Sequence, residues 1–128
     1  VTPFGERVRS LRAQRGVTLA QMAGELGVTP AYLSALEHGK RGRPTFTLIQ
    51  GVIHVLGVIW DEADELVRLA DLSHPRVTVD TAGLEPEATL LANRLAREIA
   101  ELEPEDLLRL ASILDEAAAR RSAADQPA

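Results

Sequence analysis

The stretch that most constrains the fold is TLAQMAGELGVTPAYLSALEHG, residues 18–39, where a single glycine separates two short amphipathic segments. Thr18 has Gln21 three residues on, the pattern of a capping box at a helix start. Leu19, Met22, Ala23 and Leu26 then share one helical face, and Gly27 ends it. Thr29-Pro30 opens a second helix with Leu33 and Leu36 inward, and Gly39 stops it. Helices joined this tightly need a small residue at the point of closest contact, and Ala23 stands there. The turn needs a residue that accepts positive φ, which Gly27 supplies. Apolar residues must hold the angle, and Met22, Leu26, Val28, Leu33 and Leu36 occupy those positions. An accidental amphipathic hairpin would rarely satisfy every one of these demands, so the reading is helix-turn-helix.

Similar punctuation marks the flanks. Thr2-Pro3 reads as N-cap and first helical residue, followed by Phe4, Val8 and Leu11 at helical spacing and by Gly16 as a stop. Thr45 caps a fourth helix with Leu48, Ile49, Val52, Ile53 and Leu56 inward and Gly57 closing it. Asp61 is expected to cap a fifth, with Leu66, Leu69 and Ala70 on its apolar side. Ser73 to Gly83 breaks the pattern, and Arg76 to Asp80 alternates as a short strand or an extended linker would.

Charge divides the chain in two. Residues 1–60 hold seven Lys/Arg against three acids, a net of +4, and residues 61–128 hold seven Arg against sixteen acids, a net of −9. The formal net charge of −5 therefore hides a basic half, whose tightest cluster is Lys40, Arg41 and Arg43. With no cysteine, disulfides and thiolate metal sites are excluded. His38, His54 and His74 are far apart and form no ligand pair, and Asp61, Glu62, Asp64 and Glu65 read as a helix N-terminus rather than a metal site. No phosphate loop, nucleophile elbow or triad spacing occurs, so no enzyme, cofactor or metal is expected. No apolar run approaches a membrane span and the N-terminus lacks a signal-peptide core, so the expected location is cytoplasmic, on the nucleoid when DNA is bound, with no membrane contact.

TLAQMAGELGVTPAYLSALEHGKRGRPT resembles the helix-turn-helix of lambda-repressor/Cro-like (XRE) transcriptional regulators, over about Phe4 to the fifth helix. The resemblance implies an all-α chain: a five-helix DNA-binding domain over 1–73 that acts as a dimer on double-stranded DNA. In such a domain the third helix, Thr29 to His38, enters the major groove and the segment behind it lies along the phosphates. Lys40, Arg41 and Arg43 are then phosphate clamps. The exposed reading positions fall on Thr29, Pro30, Ala31, Tyr32, Ser34 and Ala35. Pro30, Ala31 and Ala35 have no side-chain donor, which limits them to methyl contacts and shifts weight to DNA shape. Tyr32 can donate to a phosphate while packing partly inside. Thr18 and Gln21 fall where the family offers donors to phosphate, although capping alone also accounts for both. Arg12 and Glu37 occupy the positions of a structural ion pair between the first and third helices.

Beyond a linker at 74–83, two further helices are expected over 84–122, before a small polar flexible tail at 123–128. Leu84-Glu85-Pro86-Glu87 and Leu102-Glu103-Pro104-Glu105 are a local repeat that places Pro and acids in first helical turns. Each helix has an apolar stripe, and this helical hairpin is expected to pair with a second copy through Leu91, Leu95, Ile99, Leu110 and Leu114. The functional expectation is a dimeric repressor reading a palindromic operator. The alternative is an antitoxin whose C-terminal region binds a toxin, and a protein partner on those helices belongs to that reading. Residues 84–118 are apolar enough to pack, unlike a polar tail that folds only on a partner, which favours the repressor.

Overall fold

The computed structural model describes residues 1–126 and is all-helical over them. Its elements are α1 (Pro3–Arg15), α2 (Leu19–Leu26), α3 (Pro30–Glu37), α4 (Phe46–Leu56), α5 (Trp60–Asp71), α6 (Pro86–Glu98), a 3-10 turn (Ile99–Glu101) and α7 (Pro104–Asp125). They fall into two compact units, Val1–Thr78 and a second that begins at Val79.

In the first unit α1 packs on α3, α4 and α5, α2 on α3 and α4, and α4 on α5. One core results, with Phe4, Leu11, Met22, Leu33, Ile49 and Leu66 almost wholly buried. Each such side chain contributes about 1.5–3 kcal/mol of transfer free energy. Threonine side chains close the helix starts: Thr2 accepts from Gly5 N–H, Thr18 from Gln21, Thr29 from Tyr32 and Thr45 from Leu48. Ser73 ties the far end of the unit to its beginning, because its buried hydroxyl accepts from Phe4 N–H at 2.9 Å.

The start of α5 differs from expectation. Its N-cap is Ile59, with no side-chain cap, and Trp60 opens the helix at φ +53°. Asp61 lies one residue inside the helix, so it cannot cap; with Glu62 it faces the N-terminal partial charge instead. Arg76 to Asp80 contains no strand and runs as irregular backbone.

In the second unit Pro86 and Pro104 each stand at the first turn of their helix, and Glu103 with Asp106 forms a capping box. Arg94 Nε donates to Glu98 Oε2 at 2.8 Å, and that hydrogen bond, with the charge of Arg94, holds the Glu98 carboxyl below its usual range. No residue of α6, the 3-10 turn or α7 is buried, and Leu90, Leu91, Ile99, Leu108, Ile113 and Leu114 are more than half exposed. α7 continues to Asp125, past the point where the flexible tail was expected to begin, and Pro127 and Ala128 of that tail lie outside the described residues.

Candidate nucleic-acid interface

The helix pair α2–α3 is built as its sequence demands. Ala23 is fully buried, Gly27 adopts φ +72°, and Val28 N–H reaches back to Ala23 O at 3.0 Å. A larger residue at 23 would push α2 away from its neighbours. Leu33 and Leu36 anchor α3 to the core, which leaves the opposite face outward. On that face Thr29, Pro30 and Ala31 are exposed, and Ser34 and Ala35 are half-buried. Tyr32 is half-buried against the core, and the Arg41 guanidinium lies 5.3 Å from its ring centroid, within cation–π reach. Thr18 and Gln21 are exposed and occupied with each other: Gln21 Oε1 accepts from Thr18 N–H at 2.8 Å, and Thr18 Oγ1 accepts from Gln21 N–H at 3.1 Å.

The backbone after α3 is tightly held. His38 N–H reaches Ser34 O and Lys40 N–H reaches Ala35 O, with Gly39 between them at φ +77°. His38 Nδ1 also donates to Ser34 O at 2.8 Å. Lys40 and Arg41 follow, both exposed.

Ion pairs sort the basic residues of the first sixty. Arg7 lies 3.7 Å from Glu62 and 3.8 Å from Glu65. Arg12 donates to Glu37 at 3.2 Å, and Arg9 approaches the same carboxylate at 4.0 Å. Arg43 is held by Asp71 at the end of α5, with Nε donating to Oδ1 at 2.7 Å and Nη2 to the same oxygen. Arg43 Nη1 adds a bond to Pro44 O at 3.2 Å. Among the described residues, Arg15, Lys40 and Arg41 have no carboxylate within salt-bridge distance, so the positive charge of the post-α3 segment rests on Lys40 and Arg41. Local sequence did not indicate the neutralisation of Arg43, because its partner lies 28 residues away.

Between α2, α3 and α4 runs an open groove of about 560 Å³, lined by Thr29 and Tyr32 of the α3 start, Thr45 and Thr47 of the α4 start, and Leu26 and Leu48 among others. The first turns of α3 and α4 are therefore neighbours on one surface. No group of His, Asp or Glu among the described residues has the arrangement of a metal site, and no described helix is long and apolar enough to cross a membrane.

The sequence of the first unit is similar to known proteins. A family model described as a helix-turn-helix domain matches residues 3–72, more than half of the chain. The HTH-type transcriptional regulator RghRB of Bacillus subtilis (strain 168) is 38% identical over 61 residues, covering 48% of this chain and 44% of that protein. The HTH-type transcriptional repressor RghR of the same organism is 38% identical over 58 residues, covering 45% and 43%. The crystal structure of the clp gene regulator ClgR from C. glutamicum is similar at 35% identity and a TM-score of 0.45, covering 54% of this chain and 84% of that one. The chain thus spans less than half the length of these two curated relatives. With its core, its Gly27 turn and its matched span all coinciding on the first unit, the chain belongs to the helix-turn-helix family of XRE-like regulators.

Proposed function

We propose that this chain is a DNA-binding transcriptional repressor without enzymatic activity, which reads duplex DNA through the outward face of α3. The observation that carries the reading is the coincidence of a free α3 face with Lys40 and Arg41, cations that no carboxylate of the described chain neutralises. α3 enters the major groove by its N-terminal end, and Thr29, Pro30, Ala31, Ser34 and Ala35 meet base edges there. Lys40 and Arg41 bind phosphates, with Arg41 steadied on the Tyr32 ring. Thr18 and Gln21 present the start of α2 to a neighbouring phosphate while keeping their caps. Arg43 serves the interface by fixing the post-α3 segment to α5, and it adds little free charge.

The reading includes a homodimer. No residue of α6 or α7 is buried, Leu91, Ile99 and Leu114 are more than half exposed and Leu95 and Leu110 are partly so, and in this reading a second copy covers all five. Two reading heads joined in this way call for a palindromic operator with half-sites roughly 34–36 Å apart. The test is genome-wide mapping of bound sites, followed by binding of the purified chain to the recovered sequence. A shared inverted repeat is the expected result, and the absence of any enriched motif contradicts the reading.

A further inference from the structure

α7 runs for 22 residues, and none of them is buried. Leu107, Ala111, Leu114 and Ala118 follow one another at helical spacing and form one line along it. All four are exposed, Leu107 by 42% and Leu114 by 71%, whereas Leu110 and Ala117 beside them are half-buried. Large apolar side chains left in water along a helix of this length call for a cover. The line ends in charge on both sides. Glu103, the N-cap, lies one turn before Leu107, and Arg121 lies one turn after Ala118. Among the described residues, Glu103 has no cation and Arg121 no carboxylate within salt-bridge distance. The helix dipole favours an acid at the start and a base near the end, but it does not require either to continue the apolar line.

Two copies of this line can meet in two directions. Side by side in the same direction, each residue meets itself. Leu107 and Leu114 then hold the helices apart where Ala111 and Ala118 leave gaps, and Glu103 meets Glu103 and Arg121 meets Arg121. In opposite directions, with the two-fold axis between Ser112 and Ile113, the order changes. Leu107 of one copy meets Ala118 of the other, Ala111 meets Leu114, and Glu103 comes beside Arg121. Each apolar layer then pairs one large side chain with one small one, so the helices keep an even separation, and opposite charges close both ends. The line is thus complementary to itself about a two-fold axis, as a closed homodimer requires.

We infer that α7 pairs antiparallel with α7 of a second copy along this line, with Glu103 and Arg121 locking the two ends. The inference rests on the homodimer proposed above and gives it a direction and a register. Sedimentation of the full parent chain comes first: a monomer at micromolar concentration overturns the homodimer and this pairing with it. The chain has no cysteine, so introduced cysteines report the direction without background. Leu107→Cys alone and Ala118→Cys alone are expected to stay uncrosslinked under mild oxidation, because each position lies about 16 Å from its own copy, beyond the reach of a disulfide. A mixture of the two chains is expected to form a covalent dimer holding one of each. Crosslinking of Leu107→Cys alone as readily as in the mixture shows a parallel pair and overturns the inference, with the homodimer left standing. A dimeric parent whose mixture does not crosslink also overturns it, because α7 then does not meet itself along this line. Arg121→Glu is expected to weaken the dimer about ten-fold at low salt, and Glu103→Arg added to the same chain to recover most of that loss. No loss, or a loss without recovery, overturns the pairing of Glu103 with Arg121.

Discussion

Arg12 Nη2 donates to Glu37 Oε2 at 3.2 Å, joining α1 to the end of α3 where the carboxylate side chain is 3% exposed. The Glu37 backbone is engaged as well, since its carbonyl accepts from Thr2 N–H at 3.1 Å. Glu37 Oε1 and Arg12 Nε have no partner among the described residues, so the pair depends on a single strong contact. Removing one partner strands a buried charge, whereas removing both does not. Arg12→Ala is expected to lower the unfolding free energy by about 3–5 kcal/mol, and Arg12→Met with Glu37→Leu by less. Urea denaturation followed by circular dichroism checks this, and a double variant as unstable as the single one contradicts it.

Gly5 touches the same backbone. A Cβ added there would lie 2.0 Å from Glu37 O and 2.6 Å from its Cα, both main-chain atoms that cannot swing aside. Gly5→Ala is therefore expected to cost about 3 kcal/mol or more by forcing α1 off α3. The same denaturation measurement decides it, and near-parental stability would mean that α1 and α3 are not in close contact.

Charge neutralisation sets apart three residues that look alike in sequence. Lys40→Ala and Arg41→Ala should each lower the salt slope of DNA binding by about one unit. Arg43→Ala should change the slope much less and cost at most about 1 kcal/mol of stability, because Asp71 is 58% exposed. Three equal decreases in slope, read from anisotropy titrations, would show that the Asp71 pair opens on DNA.

Much of this was legible in the sequence because it is local. Thr2, Thr18, Thr29 and Thr45 cap helices that Gly16, Gly27 and Gly57 end at positive φ, and each signal lies within four residues of its effect. The outward face of α3 followed from the spacing of Leu33 and Leu36. What escaped is tertiary or cooperative. The pairing of Arg43 with Asp71 and of Arg7 with Glu62 depends on how α5 returns past α1 and the post-α3 segment. The start of α5 escaped because Trp60 takes a left-handed conformation that an aromatic residue rarely adopts, bringing the helix start before Asp61.

The first unit holds its own core, so a chain ending at Thr78 is expected to fold and to melt cooperatively. Without α6 and α7 it should sediment as a monomer at micromolar concentration and bind its operator weakly. A truncated chain that sediments as a dimer would place the self-contact among α1–α5 and contradict the role proposed for Leu91, Leu95 and Leu110.

Ala31 tests the central claim most directly, because it is exposed on the outward face of α3 and makes no side-chain hydrogen bond whose loss could confuse the result. The measurement is the affinity of Ala31→Glu for the mapped operator, taken with its melting temperature. If that face enters the major groove, the new carboxylate meets base edges and phosphates. Affinity should then fall to the non-specific level, about a thousand-fold or more, while the melting temperature stays within a few degrees of the parent. Parental operator affinity in a folded Ala31→Glu chain would contradict the account, because α3 would then not be the element that reads DNA.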